Sequence, residues 1–136
     1  MIRLHIVPPI LALSGCVLLA GCGGSDHPVL AKVVGTVQYK AQPLEQGTIT
    51  FHPAKGRAAT GKIKDGHILD VTTFAPRDGA AVGLHRVTVV SFDNPDADMY
   101  TEKKSSIPTS YSDLNKSKLE VEIQPGENDL TLELTD

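Results

Sequence analysis

The sequence predicts an all-β fold, a β-sandwich of about seven short strands, behind an N-terminal export segment. Three observations lead there. Between residues 29 and 134 apolar and polar residues alternate with period two, and no helical period emerges. Turn-forming pairs such as Asp65-Gly66, Asp78-Gly79 and Pro125-Gly126 punctuate these runs. Removal of residues 1–21 leaves 115 of the 136, close to the roughly 100 residues of one sandwich and too few for a second core.

Each strand has its own justification. Residues 29–39 are β-branched and alternate, with Val33, Gly35, Val37 and Tyr39 on one face and Val34, Thr36 and Gln38 on the other. Lys40 to Leu44 form a turn. Gly47 to His52 place Ile49 and Phe51 opposite Thr48 and Thr50, and Pro53 ends the run. Ala59 to Lys64 and His67 to Thr72 flank Asp65-Gly66, a hairpin signal because glycine adopts positive φ without a steric penalty. Residues 74–83 read as a loop, and Leu84 to Phe92 as the strongest strand. Residues 93–118 are polar and turn-rich, a loop long enough to suggest a function. The chain then predicts a terminal hairpin: Leu119, Val121 and Ile123, a Pro125-Gly126 turn, then Leu130, Leu132 and Leu134. Glutamates on the alternate positions face water.

The N-terminal segment is of another kind. Met1-Ile2-Arg3 is followed by a broken apolar run, Leu4 to Ala20, the pattern of an export signal and short for a spanning helix. It ends Leu19-Ala20-Gly21-Cys22, which resembles the bacterial lipobox. The peptidase needs small residues before the cut, and the cysteine thiol takes the diacylglyceryl thioether. The resemblance implies cleavage after residue 21 and lipidation of Cys22, with residues 22–29 as a flexible tether and 30–136 as the domain. Leu13-Ser14-Gly15-Cys16 fits the same motif but would leave Val17 to Gly21 as an apolar tail. An uncleaved anchor and ordinary secretion are the other readings. With both cysteines in this segment, the body has no disulfide and must rely on packing.

Within the body, Val34-Gly35-Thr36-Val37, Pro43-Leu44, Gly47 and Phe51-His52-Pro53 resemble the start of carboxypeptidase regulatory-like domains. Gly61, Asp65-Gly66 and Leu69, then Asp78-Gly79-Ala80 and Gly83-Leu84-His85-Arg86-Val87-Thr88-Val89, continue the likeness. Ile107-Pro108, Tyr111, Ser117, Leu119 and Gly126-Glu127-Asn128 resemble the tail of planctomycete-type lipoproteins carrying this domain. Ala41 stands where the family has glycine, and His85 where it has an aromatic ring. The resemblance spans residues 33–134. It implies a seven-stranded prealbumin-like (transthyretin-like) Greek-key sandwich and a binding or structural module without an active site.

Composition and motifs narrow the chemistry. The formal charge is −3, and loss of Arg3, the only charge before Cys22, takes it to −4. Nucleic acid is disfavoured, because phosphate binding needs a basic stripe and only Lys103-Lys104 pair up. Tryptophan is absent and aromatics are 4%, which disfavours sugar- and base-stacking platforms. His27, His52, His67 and His85 form no close metal pair and are expected at the surface or half buried; no metal site and no cofactor are expected. There is no Gly-x-Ser-x-Gly elbow, no phosphate loop, and no tyrosine-bearing C-terminal signature of hydroxyisourate hydrolase, so the expectation is a non-enzyme. Asp93, Asp96, Asp98 and Glu102 offer oxygen ligands for calcium, although their spacing is not that of an EF-hand. Ile107, Pro108 and Tyr111, apolar groups inside a polar loop, form either an interaction surface or a cap on the sandwich. The resulting expectation is a lipoprotein anchored to the bilayer through Cys22, exported to a bacterial membrane, acting in envelope structure or on an envelope protein. A glycan- or calcium-binding role for loop 93–111 is the alternative.

Overall fold

The computed structural model describes residues 27–136. The expected signal segment, the lipobox-like Leu19 to Cys22 and the start of the expected tether lie outside these residues. No helix among the described residues is long and apolar enough to cross a membrane.

The fold is all-β. In chain order the strands are β1 (Leu30–Tyr39), β2 (Gln42–Pro43), β3 (Gln46–Pro53), β4 (Ala59–Lys64), β5 (His67–Thr72), β6 (Ala80–Ala81), β7 (Gly83–Val90), β8 (Leu119–Ile123) and β9 (Glu127–Leu134). The long strands run β9-β1-β5-β4-β3-β7-β8 across the sheet, with β2 and β6 paired to the two ends of β1. All pairings are antiparallel except β1 with β9, which run parallel from Lys32↔Glu127 to Tyr39↔Leu134.

This order forces the sheet to curl. β8 and β9 occupy opposite edges, yet only Gln124 to Gly126 join them. Six strand spacings in a flat sheet would separate the edges by about 29 Å. Four residue steps reach at most about 14 Å. The edges must therefore come together, and the inward side chains fill the space enclosed. Val37, Ile49, Phe51, Ile68, Val87, Val89, Ile123 and Leu134 are all buried there. They occupy alternate strand positions, so burying them also decides the register.

Several expectations need correction. Residues 119–134 are not a hairpin: β8 pairs with β7 and β9 with β1. Asn128 shows why the turn can open. Its buried amide oxygen accepts the Gln124 N–H at 2.8 Å, and its amide nitrogen donates to the Gln124 carbonyl at 2.9 Å and the Lys32 carbonyl at 3.2 Å. One side chain thus takes the bonds a hairpin partner would supply. Gly35 makes the parallel pairing possible, since a Cβ there would sit 2.2 Å from the Leu130 carbonyl oxygen.

Strand β5 breaks strict alternation. Lys62 pairs with Leu69 and Thr60 with Thr72, so two β5 residues oppose Gly61. Asp70 absorbs the extra residue at φ 54°. Leu69 faces outward by alternation from buried Ile68, and the bulge returns Val71 to the core. Loop 74–83 contains the short β6, and β7 ends at Val90 rather than Phe92, which makes only an isolated bridge to Ser105.

Candidate functional site

The long segment after β7 is built in two halves. In the first, the Phe92↔Ser105 bridge and the Asp93 N–H to Lys104 carbonyl bond (3.0 Å) close a stem. Asn94 crosses it, accepting from the Lys104 N–H at 3.2 Å and donating to the Glu102 carbonyl at 3.3 Å. Asp98 turns the tip by accepting from the Thr101 hydroxyl at 2.8 Å and the Tyr100 N–H at 3.1 Å. The Thr101 hydroxyl, then the Tyr100 N–H, hold its carboxyl below the usual carboxylate value. Met99 and Tyr100 are left at the tip, 88% and 90% exposed.

The second half is packed against the domain. Ile107 is buried in the core and Pro108 is half-buried. Tyr111, in a 3₁₀ turn at Thr109–Ser112, donates its hydroxyl to the Thr135 carbonyl (3.0 Å) and accepts from the Thr135 N–H (2.9 Å). Ser117 donates to the Val87 carbonyl at 2.5 Å. The structure brings Ile107, Pro108 and Tyr111 together as packing that seals the domain and pins the end of β9. The large apolar side chains left in solvent, Met99 and Tyr100, belong to the first half of the loop.

Beside that first half lies a cleft of about 270 Å³. Its walls include Tyr39, Pro43, Glu45, Gln46, Phe92 and Asp93. Gln46 spans it by donating from its amide nitrogen to the Phe92 carbonyl at 3.1 Å. Ser91 is committed, its hydroxyl donating to the Gln46 carbonyl at 2.6 Å, and no histidine lines the cleft to activate it. At the rim, Tyr39 donates to Asp136 at 2.5 Å and Lys40 pairs with the same carboxylate at 2.6 Å. The lysine and then the tyrosine hold the Asp136 carboxyl below its usual value. Two rings, the Gln46 amide and the Glu45 and Asp93 carboxylates line this shallow cleft. Sequence reasoning missed it because Tyr39 and Phe92 meet only when the end of β1 comes beside the end of β7.

Asp93, Asp96, Asp98 and Glu102, the alternative calcium ligands, do not gather into a site. Among the described residues no group of three or more His, Cys, Asp or Glu side chains could hold a metal ion. Asp98 is consumed by its own turn.

A chain comparison against protein-family models, curated proteins and solved structures finds no match. The chemistry has to be read from the geometry alone.

The histidines differ from expectation in one case. His85 is fully buried at 1% exposure, because it occupies an inward position of β7. Its ring meets Phe51 edge-on at 6.3 Å between centroids. Its Nε2 lies 2.6 Å from the Ala81 carbonyl, which only accepts, so that nitrogen carries the hydrogen. Nδ1 has no partner. His52 is half-buried, and its Nε2 lies 2.9 Å from the Thr88 hydroxyl. Burial first, then the charge of Arg86 and His85, push its pKa below the usual 6.5. A groove of about 310 Å³ runs past His52, Arg86, Leu114 and Glu120. Arg86 donates to the Leu114 carbonyl. Histidine beside a hydroxyl is the beginning of a nucleophilic pair, but Thr88 is buried and no carboxylate orients the ring among the described residues.

Proposed function

We propose that this chain is an exported bacterial lipoprotein, cleaved after Gly21 and acylated at Cys22. Its β-domain is a non-catalytic structural or protein-interaction module of the cell envelope. The observation that carries the reading is Leu19-Ala20-Gly21-Cys22 at the end of the apolar run, with β1 beginning at Leu30, only eight positions later. Two or more acyl chains give a stable anchor where one gives a marginal one. The domain is of the transthyretin-like sandwich kind. In support, the seven long strands curl until β8 and β9 approach, and the glycines at 35, 61, 66 and 79 stand where close contacts or positive φ demand them. For the absence of catalysis, the support is that the one histidine–hydroxyl pair points at a buried threonine and the cleft serine faces no base.

Intact mass of the membrane-extracted protein tests the anchor. A mass of residues 22–136 plus acyl groups, lost in Cys22→Ala, is expected. An unmodified mass or a different start would sink the reading.

A ligand-binding role at loop 93–111 is favoured by one observation, the cleft between Tyr39 and Phe92. In that case an oligosaccharide raises the melting temperature as its concentration passes the dissociation constant. No shift would leave the cleft without that role.

A further inference from the structure

We infer that the end of the domain nearest residue 27 is a docking surface for anionic phospholipid headgroups, holding the domain against the bilayer in one orientation. The inference rests on the lipid-anchor reading.

The turn at residues 124–126 lies at that end with Glu127, which pairs with Lys32 at 3.6 Å, and three further segments converge there. They are residues 27–29 before β1, loop 54–58 between β3 and β4, and loop 73–79 between β5 and β6. Pairing places them side by side: Thr60 opposite Thr72, and Ala31 opposite Ala80. The Phe74 ring is the centre of the patch. The His27 ring meets it edge-on at 4.6 Å, and the Arg57 guanidinium lies 5.8 Å from its centroid. Lys55 and Arg77 are exposed on the same two loops, and Val29 is 71% exposed.

Asp78, the acid within loop 73–79, keeps its charge but is turned onto the loop backbone, and Lys55, Arg57 and Arg77 outnumber it. It accepts the N–H groups of Thr73 (2.6 Å), Phe74 (2.8 Å) and Ala75 (2.8 Å). Those bonds fold the loop so that Phe74 and Arg77 face out. Cations flanking an apolar ring are the composition that binds a negatively charged membrane interface.

Position and charge commit this end to the bilayer. From Cys22 to His27 the chain reaches at most about 18 Å. The opposite end lies about 30 Å further, the length of β1. It carries Glu45, Asp65, Asp93, Asp96, Asp98, Glu102, Asp113 and Asp136 against Lys40, Lys64, Lys103, Lys104, Lys116 and Lys118, a balance still on the acidic side. With a Debye length of about 8 Å, those carboxylates do not cancel the attraction at the basic end, and they disfavour the inverted orientation.

The chain has no tryptophan, so Phe74→Trp and Tyr100→Trp each create a single reporter. The full lipidated chain is reconstituted in phosphatidylcholine vesicles with or without phosphatidylglycerol, doped with headgroup-proximal brominated lipid. Phe74→Trp should blue-shift and be quenched with phosphatidylglycerol, less without it, and Tyr100→Trp in neither. Lys55→Glu/Arg57→Glu/Arg77→Glu in the Phe74→Trp background should abolish the extra quenching. Added salt on the unreversed chain should do the same without any change of fold. Equal quenching of the two reporters, or quenching indifferent to phosphatidylglycerol and salt, would overturn the docking surface. Vesicle flotation separates the two claims. Flotation unaffected by Cys22→Ala would sink the anchor, whereas Cys22-dependent flotation with equal quenching would sink the docking surface alone.

Discussion

Asn128→Ala should be the most informative single truncation in the β-domain. Asn128 is 7% exposed and makes three hydrogen bonds at the point where β8 hands over to β9. Two go to Gln124, which is exposed, so its backbone regains water when the amide is removed. Each such bond contributes about 1 kcal/mol net, and the longer bond to Lys32 contributes less. The expected loss is about 2–3 kcal/mol, a fall of roughly 10–20 °C in melting temperature for a domain of this size. Asn128→Asp sharpens the test. It keeps the shape and the bond from the Gln124 N–H but turns both donor contacts into carboxylate facing carbonyl, in a buried place. It should be at least as destabilising as alanine at neutral pH. Urea unfolding at equilibrium, with the slope checked for constancy, measures both. A loss below about 0.5 kcal/mol for alanine, or an aspartate variant as stable as wild type, would refute the view that this amide joins the two sheet edges.

Other outcomes follow from single residues. Gly79→Ala should cost more than about 3 kcal/mol or prevent folding, because its φ is 91° and a Cβ would lie 2.0 Å from the Ala31 carbonyl oxygen; circular dichroism and thermal unfolding decide. Ala41→Gly should be neutral or stabilise by up to about 1 kcal/mol, since alanine at φ 60° carries left-handed strain that glycine lacks, partly offset by unfolded-state entropy; a clear loss in urea unfolding contradicts this. Burial tends to raise the Asp78 pKa, but the N–H donors of Thr73, Ala75 and Phe74 together outweigh it, and the net shift is down. Its contribution is therefore complete above the usual 3.8 and drains as pH falls below that; a stability-versus-pH curve that keeps its acid slope in Asp78→Asn would contradict it. His52, with its pKa lowered by burial, Arg86 and His85, binds its proton less readily when folded, so stability should decline as pH falls below 6.5, and His52→Gln should flatten that decline.

Local pattern made the strands legible, and long-range pairing was what it could not carry. Ile49 and Phe51, or Val87 and Val89, announce an inward face by period two alone. Asp65-Gly66 announces its hairpin because the turn chemistry is contained in two residues. Pro125-Gly126 looks equivalent and is not. Whether β8 folds back on β9 depends on β1, some ninety residues earlier, offering Gly35 as a place where β9 can come close. The bulge at Asp70 is likewise unannounced, for aspartate at positive φ leaves no periodic trace. At the candidate sites, Ile107 and Tyr111 stood out as apolar residues in a polar loop. Only the fold shows that the first is core and the second a clasp on Thr135. The cleft and the basic end are both assembled from residues on separate segments, each too short to register as a motif.

The parallel strand β9 has a consequence for how copies of this chain meet. Among the described residues it is hydrogen-bonded only to β1, so one row of its backbone groups faces outward. A bare strand edge is an invitation for another strand to add to it. Glu127, Asp129 and Glu133 stand on the exposed positions of that strand. A twin strand running antiparallel about Leu130 would set Glu127 against Glu133 twice over, like charge against like charge. Like charge thus opposes pairing of this edge with its own copy, so copies that collide do not zip into sheets.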